Sequence, residues 1–159
     1  MLTRRERQDQ GHQAEDRFRA WLDRWHLPHI YIEQSPFTFP AHLKGAIKRP
    51  DFLVGVPTIG TIAVDVKAKT VYDNTILIDA FEHRTLAAFE TFFNLSVWFA
   101  CFPPDAPHTG YLFQNRDLAR LPATTVKGTP AIAVPLRLTR AVDERRDFMA
   151  ALLGAISLR

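Results

Sequence analysis

At 159 residues, with 47% hydrophobic and 23% charged side chains, the chain is long enough for one domain with a real core and too short for two comfortable ones. Its single cysteine, Cys101, excludes an intramolecular disulfide and any four-cysteine cluster, and no apolar run approaches the ~18 residues of a membrane span. A net charge of +3 says little about partners, and the opening residues Met1–Arg5 lack the apolar stretch of a leader, so a reducing cytoplasm is expected.

From Gln8 to His26, the residues Ala14, Phe18, Trp21, Leu22 and Trp25 recur at helical spacing. They predict an amphipathic helix that exits before Pro28, with residues 1–10 as a frayed or extended first turn. His29 to Gln34 alternates and predicts a strand, with Phe37–Phe39 as its extension beyond Pro36 and a loop from Pro40 to Lys48. Two short apolar runs follow, Pro50–Val54 and Ile62–Lys67, joined through Pro57-Thr58-Ile59-Gly60, which has turn chemistry. They predict an antiparallel hairpin. Thr75–Ile78 reads as a short strand. Asp79 is an N-cap, and Glu82 completes a capping-box spacing for a helix over 81–94 with Phe81, Leu86, Phe89, Phe92 and Phe93 as its apolar body. Ser96–Phe102 is a nearly continuous apolar run, the pattern of a strand buried on both faces. Gly110–Phe113 predicts another strand, Asn115–Leu121 a helical turn, and 122–130 a loop. Ala131–Leu138 predicts a strand confined to an edge by Pro135, and Val142–Ala155 a closing amphipathic helix.

The hairpin carries the chemistry. Alternation projects Asp65 and Lys67 from one face of the second strand, away from Ile62, Val64 and Val66. Asp51 joins them only if the loop holds an odd number of residues, if a bulge intervenes, or if Asp51 leaves the ladder after Pro50. Two close carboxylates repel, and a hard divalent cation relieves that repulsion while activating water for attack on a phosphoryl group. A neighbouring ammonium offsets transition-state charge. The bland alternative for Asp65 and Lys67 is a solvated strand face with a surface ion pair.

Pro50-Asp51, a spacer and then Asp65-Val66-Lys67 resemble the signature of the PD-(D/E)XK nuclease superfamily, with Asp as the last acid where Glu is commoner. The order of elements over roughly residues 8–121 agrees with this. The resemblance is nearest to small Holliday-junction-resolvase-like endonucleases; the exonuclease branch with Gln-x-x-x-Tyr on the following helix is not matched. It implies a restriction-endonuclease-like α/β fold, a mixed central sheet of about five strands flanked by helices. One domain over 1–159 is expected, with 122–159 adding an edge strand and C-terminal helix. The parallel crossover through helix 81–94 should be right-handed. The resemblance also implies that Gly11-x-x-Ala14-Glu15 is the N-terminal helix element offering a glutamate beside the metal; the alternative is a boundary Glu15 paired with Arg19.

On this reading Asp51 and Asp65 bind Mg²⁺, with Mn²⁺ able to substitute, the Val66 carbonyl supplies a further oxygen, and Glu15 assists. Lys67 positions the attacking water. Charge is uneven: no acid lies between Glu33 and Asp51 against Lys44, Lys48 and Arg49, and these three with Lys69 and Arg84 are the expected nucleic-acid contacts. The expected function is metal-dependent hydrolysis of phosphodiesters in DNA, with RNA left open. The rivals are a catalytically silent nuclease-like module that binds nucleic acid or a partner protein, and an interaction module with no nucleic-acid partner. A homodimer or a companion subunit is compatible with so small a chain.

Overall fold

The structure, a computed structural model, describes residues 3–156. Helix α1 runs Arg4–Arg24, four residues ahead of the periodic stripe. A capping box explains the early start: the Thr3 hydroxyl accepts from the Glu6 N–H at 3.2 Å and the Glu6 carboxylate accepts from the Thr3 N–H at 2.6 Å. The first turn is therefore ordered helix, not the frayed end that its polarity suggested.

Six strands form the central sheet: β1 His29–Tyr31, β2 Phe52–Val56, β3 Gly60–Lys67, β5 Val97–Cys101, β6 Thr109–Gln114 and β9 Arg140–Asp143, in the order β1-β2-β3-β5-β6-β9. Only β3 and β5 pair in parallel; the other neighbours are antiparallel. Between β3 and β5 the chain forms β4 Thr75–Asp79 and helix α2 Ala80–Phe93. Strands β7 Ala123–Val126 and β8 Thr129–Pro135 join β4 in a second sheet, β4-β8-β7. Helix α3 spans Phe148–Ile156.

The sheet is covered on both sides, which is why β5 is apolar on both faces. One face packs Ala14, Phe18, Trp21 and Leu22 of α1 and Phe148 and Leu152 of α3 on Phe52, Val64, Trp98 and Leu112. Edge-on aromatic contacts lock this layer, with Phe18 to Phe52 at 5.3 Å and Trp21 to Phe148 at 4.9 Å between ring centres. Burying each such side chain stabilises the fold by about 1.5–3 kcal/mol. The other face packs Leu86 and Phe89 of α2, with Ile76, Ile78, Ile132 and Val134 of the small sheet, on Ala63, Val97, Phe99 and Phe113.

Several sequence expectations change. Residues 36–38 form a 3-10 turn and do not extend β1, because Ser35 caps the Phe37 N–H. The expected loop 122–130 contains β7 and a two-residue turn, Lys127-Gly128, both at positive φ. Strand β8 is the middle strand of its sheet, not an edge; Pro130 and Pro135 lie toward its two ends, where few ladder donors are lost. Residues 140–143 are strand β9, so the last helix starts at Phe148 and not at Val142. The central sheet has six strands where about five were expected. Among the described residues no helix is long and apolar enough to cross a membrane.

Candidate metal-dependent active site

The turn between β2 and β3 decides where Asp51 goes. Val56 faces Gly60, so the loop is Pro57-Thr58-Ile59, three residues. That odd count is one of the three solutions open to the sequence. Carried down the ladder, Phe52 faces Val64 as the last pair, and Asp51 leaves the ladder one residue beyond it, a second of those solutions. Phe52 and Val64 point into the α1 layer, which leaves Asp65 and Lys67 on the α2 side.

Here the ladder opens. The Asp51 N–H donates to the Val64 carbonyl at 3.0 Å, while its carboxylate Oδ2 accepts from the Val66 N–H at 2.7 Å. The side chain thus takes a donor that a main-chain carbonyl of β2 would otherwise satisfy. Two further bonds tie this end to β1: the Ile32 N–H donates to the Asp51 carbonyl at 2.8 Å and Gln34 Nε2 to the Pro50 carbonyl at 3.1 Å.

Asp51 is 8% exposed and Asp65 not at all. Burial, then the charge of Asp65, pushes the Asp51 carboxyl up to about 7, against partial relief from Lys67, Lys48 and the Val66 N–H. Asp65 is held by two ammoniums. Lys48 Nζ donates to Asp65 Oδ1 at 2.5 Å and to Glu82 Oε1 at 2.5 Å. Lys67 Nζ pairs with Asp65 Oδ2, and with Glu82 Oε1 at 2.9 Å. The four side chains close a ring of alternating charge. Asp65 Oδ2 makes its contact with Lys67 as an ion pair without hydrogen-bond alignment, so this buried oxygen has no hydrogen bond. Burial alone would lower Lys67, but the carboxylates of Asp65, Glu82 and Asp51 hold its ammonium well above the ordinary value. Burial likewise would raise Glu82, but Lys67 and Lys48 bring it down to about 2. Lys67 therefore keeps its proton near neutrality and serves as a hydrogen-bond donor and point charge, not as a base or an acid.

Glu15 sits half-buried on α1 across an opening of about 330 Å³, lined with it by Arg7, Gly11, Asp51, Lys67 and Lys69. A Cβ at Gly11 would meet nothing within 4 Å, so α1 leaves clear space there. The Tyr31 hydroxyl is pushed up by burial and by the Glu15 and Asp51 carboxylates. Among the described residues, however, no three His, Cys, Asp or Glu side chains are gathered closely enough to hold a metal ion. The expected three-acid cluster is thus a pair, Asp51 and Asp65, with Glu15 facing it.

Sequence reasoning missed two members. Glu82 has the spacing of a capping residue, and Asp79 does cap α2 through the Phe81 and Glu82 N–H groups, but the Glu82 carboxylate turns to the two lysines. Lys48, expected as a nucleic-acid contact, lies inside the charge ring. Its residue is drawn there by a Lys48 N–H to Thr85 carbonyl bond at 3.2 Å. The other basic residues sit apart. Lys44 is exposed beside Gln34 and Phe39. Arg49 stacks 4.9 Å over Phe39 and donates to Thr38 Oγ1 at 2.7 Å and the Ser35 carbonyl at 2.9 Å, organising that loop. Arg84 is exposed on α2, 5.1 Å over the Phe81 ring.

No protein-family model and no curated protein matches the chain. Among solved structures it is similar to Hjc, a Holliday junction resolvase from the archaeal hyperthermophile Archaeoglobus fulgidus, at a TM-score of 0.51 and 16% identity over 79% of this chain and 96% of that one. At that identity the likeness speaks for the fold alone: the chain shares the mixed α/β architecture of that protein.

Proposed function

We propose that the chain is a metal-dependent endonuclease that hydrolyses phosphodiester bonds in DNA. The observation that carries this reading is the Asp51–Asp65 pair with Lys67 two residues on, at the open end of a hairpin. A buried carboxylate raised to about 7 beside a second one is an arrangement that a cation relieves. The donors are hard oxygens, which suits Mg²⁺ or Mn²⁺.

Asp51, Asp65 and the Val66 carbonyl would hold the ion, with Glu15 reaching it directly or through water. An ion bound there supplies an activated water and offsets charge on the phosphoryl oxygens. The chain's own contributions are electrostatic. The Lys67 ammonium donates to the attacking water or to a phosphoryl oxygen and stabilises negative charge as it develops. Lys69 and Arg7 line the same opening and attract the phosphate backbone, while Lys44 and Arg84 extend the positive surface outward. Glu82 keeps Lys67 charged and oriented.

One observation favours a second reading, a silent nuclease-like module that binds nucleic acid or a partner protein. Both Asp65 oxygens already face ammoniums, and the third acid stands off. The two readings separate in one experiment. Purified protein is incubated with linear, circular, single-stranded and four-way-branched DNA, and with RNA, with and without Mg²⁺ or Mn²⁺. Metal-dependent cleavage, lost in Asp65→Asn and Lys67→Met, is expected. Salt-sensitive retardation without cleavage under any metal selects the silent module.

A further inference from the structure

We propose that Lys48 is a built-in counter-ion which holds Asp65 until a divalent cation displaces it, with Glu82 as the seat to which its ammonium withdraws. The inference rests on the nuclease reading, because it concerns how the same carboxylate is loaded.

Each Asp65 oxygen already faces an ammonium, Lys48 at Oδ1 and Lys67 at Oδ2. Each oxygen keeps a second lone pair, but a divalent cation bound there would sit against an ammonium, and their repulsion favours the departure of one. Lys67 is the poorer candidate. Its side chain is half as exposed as that of Lys48, 15% against 31%, and it springs from the same strand as Asp65. Lys48 comes from the segment before β2 and is anchored to α2 through its backbone N–H. Its ammonium already touches Glu82 Oε1, so on leaving Asp65 it keeps one carboxylate partner and no charge is stranded.

The two sides of the cluster also differ. Asp51, Lys67 and Glu15 line the opening beneath α1, whereas Lys48 and Glu82 line a separate opening of about 510 Å³ beside Gly45, Asp79 and Phe81. The two lysines that hold buried Asp65 thus open onto different sides, Lys67 with Asp51 and Lys48 with Glu82. The charges agree: the four-membered ring is neutral, and an ionised Asp51 beside it leaves the cluster one positive charge short. Lys48 thus keeps Asp65 compensated in metal-free protein, and loading becomes an exchange of a single charge for a double one at Oδ1.

The test uses the full chain and Mn²⁺, with two readouts other than cleavage. By titration calorimetry, Lys48→Met is expected to bind Mn²⁺ about tenfold more tightly than wild type, equivalent to about 1.4 kcal/mol. Lys69→Met removes a charge from the α1 opening without freeing Asp65, and is expected to change affinity much less. In native protein, amine-specific labelling read by mass spectrometry should show Lys48 gaining reactivity several-fold on adding Mn²⁺, with exposed Lys127 unchanged. Equal or weaker Mn²⁺ binding by Lys48→Met, an equal gain in Lys69→Met, or Lys48 labelling indifferent to Mn²⁺ each overturns the exchange. Metal-dependent cleavage by the wild type would then leave the nuclease reading standing. Absence of Mn²⁺ binding in all three proteins overturns both.

Discussion

Replacing Asp51 by Asn should make the metal-free protein more stable while removing its activity. The folded state raises this carboxyl from 3.8 to about 7, through burial first and the Asp65 charge second. A raised acid costs stability once it ionises. Below pH 3.8 the group is protonated folded and unfolded, and nothing is lost; between 3.8 and about 7 the unfolded chain releases its proton first, and stability falls as pH rises. At about 1.4 kcal/mol per tenfold change in proton affinity, the cost is on the order of 2 kcal/mol at pH 5 and about 4 kcal/mol at pH 8. Asn is neutral throughout and its Oδ1 can still accept from the Val66 N–H. Urea or thermal unfolding of both proteins at pH 5 and pH 8, in chelator, measures the difference. Asp51→Asn should exceed wild type by up to about 4 kcal/mol at pH 8, or roughly 8–16 °C in a chain of this length, and the gap should narrow at pH 5. A variant no more stable than wild type at pH 8, or a gap that widens toward pH 5, would refute the electrostatic description of the pair.

Glu82 has the opposite sign. Its pKa falls from 4.5 to about 2 because Lys67 and Lys48 outweigh burial, so its contribution is full above pH 4.5 and disappears as pH drops toward 2. Glu82→Gln should cost about 3 kcal/mol at pH 7 and little near pH 2, measured by urea unfolding across that range. Lys44→Ala, Lys69→Ala and Arg84→Ala should each weaken DNA binding and reduce the salt dependence of affinity by about one ion, read by fluorescence anisotropy at several salt concentrations. Arg49→Ala should act instead through the loop it braces, with a smaller change in the salt slope.

The hairpin was readable in advance because strand alternation is a local rule. Once Asp65 and Lys67 share a strand, their common side follows, and the loop count together with the departure of Asp51 from the ladder completes the site. Helix α2 and buried β5 were equally readable, from the Asp79 cap and an apolar run bounded by prolines. Glu82 and Lys48 were not. The spacing from Asp79 to Glu82 is satisfied by capping alone, and the bond that draws Lys48 in joins residues 37 positions apart along the chain, Lys48 to Thr85. Strands β7 and β9 were hidden for a similar reason. Both are four-residue strands too short to show a period, although the β-branched Thr124-Thr125-Val126 ahead of Lys127-Gly128 is a hairpin signal that the surrounding Pro and Gly obscured.

The most direct measurement is a crystal structure of the chain soaked in Mn²⁺, read by anomalous scattering. A single strong peak is expected between the carboxylates of Asp51 and Asp65, with octahedral oxygen ligands and Lys48 Nζ moved off Asp65 onto Glu82. Manganese bound elsewhere, or both ammoniums still seated on Asp65 at saturating metal, would contradict it.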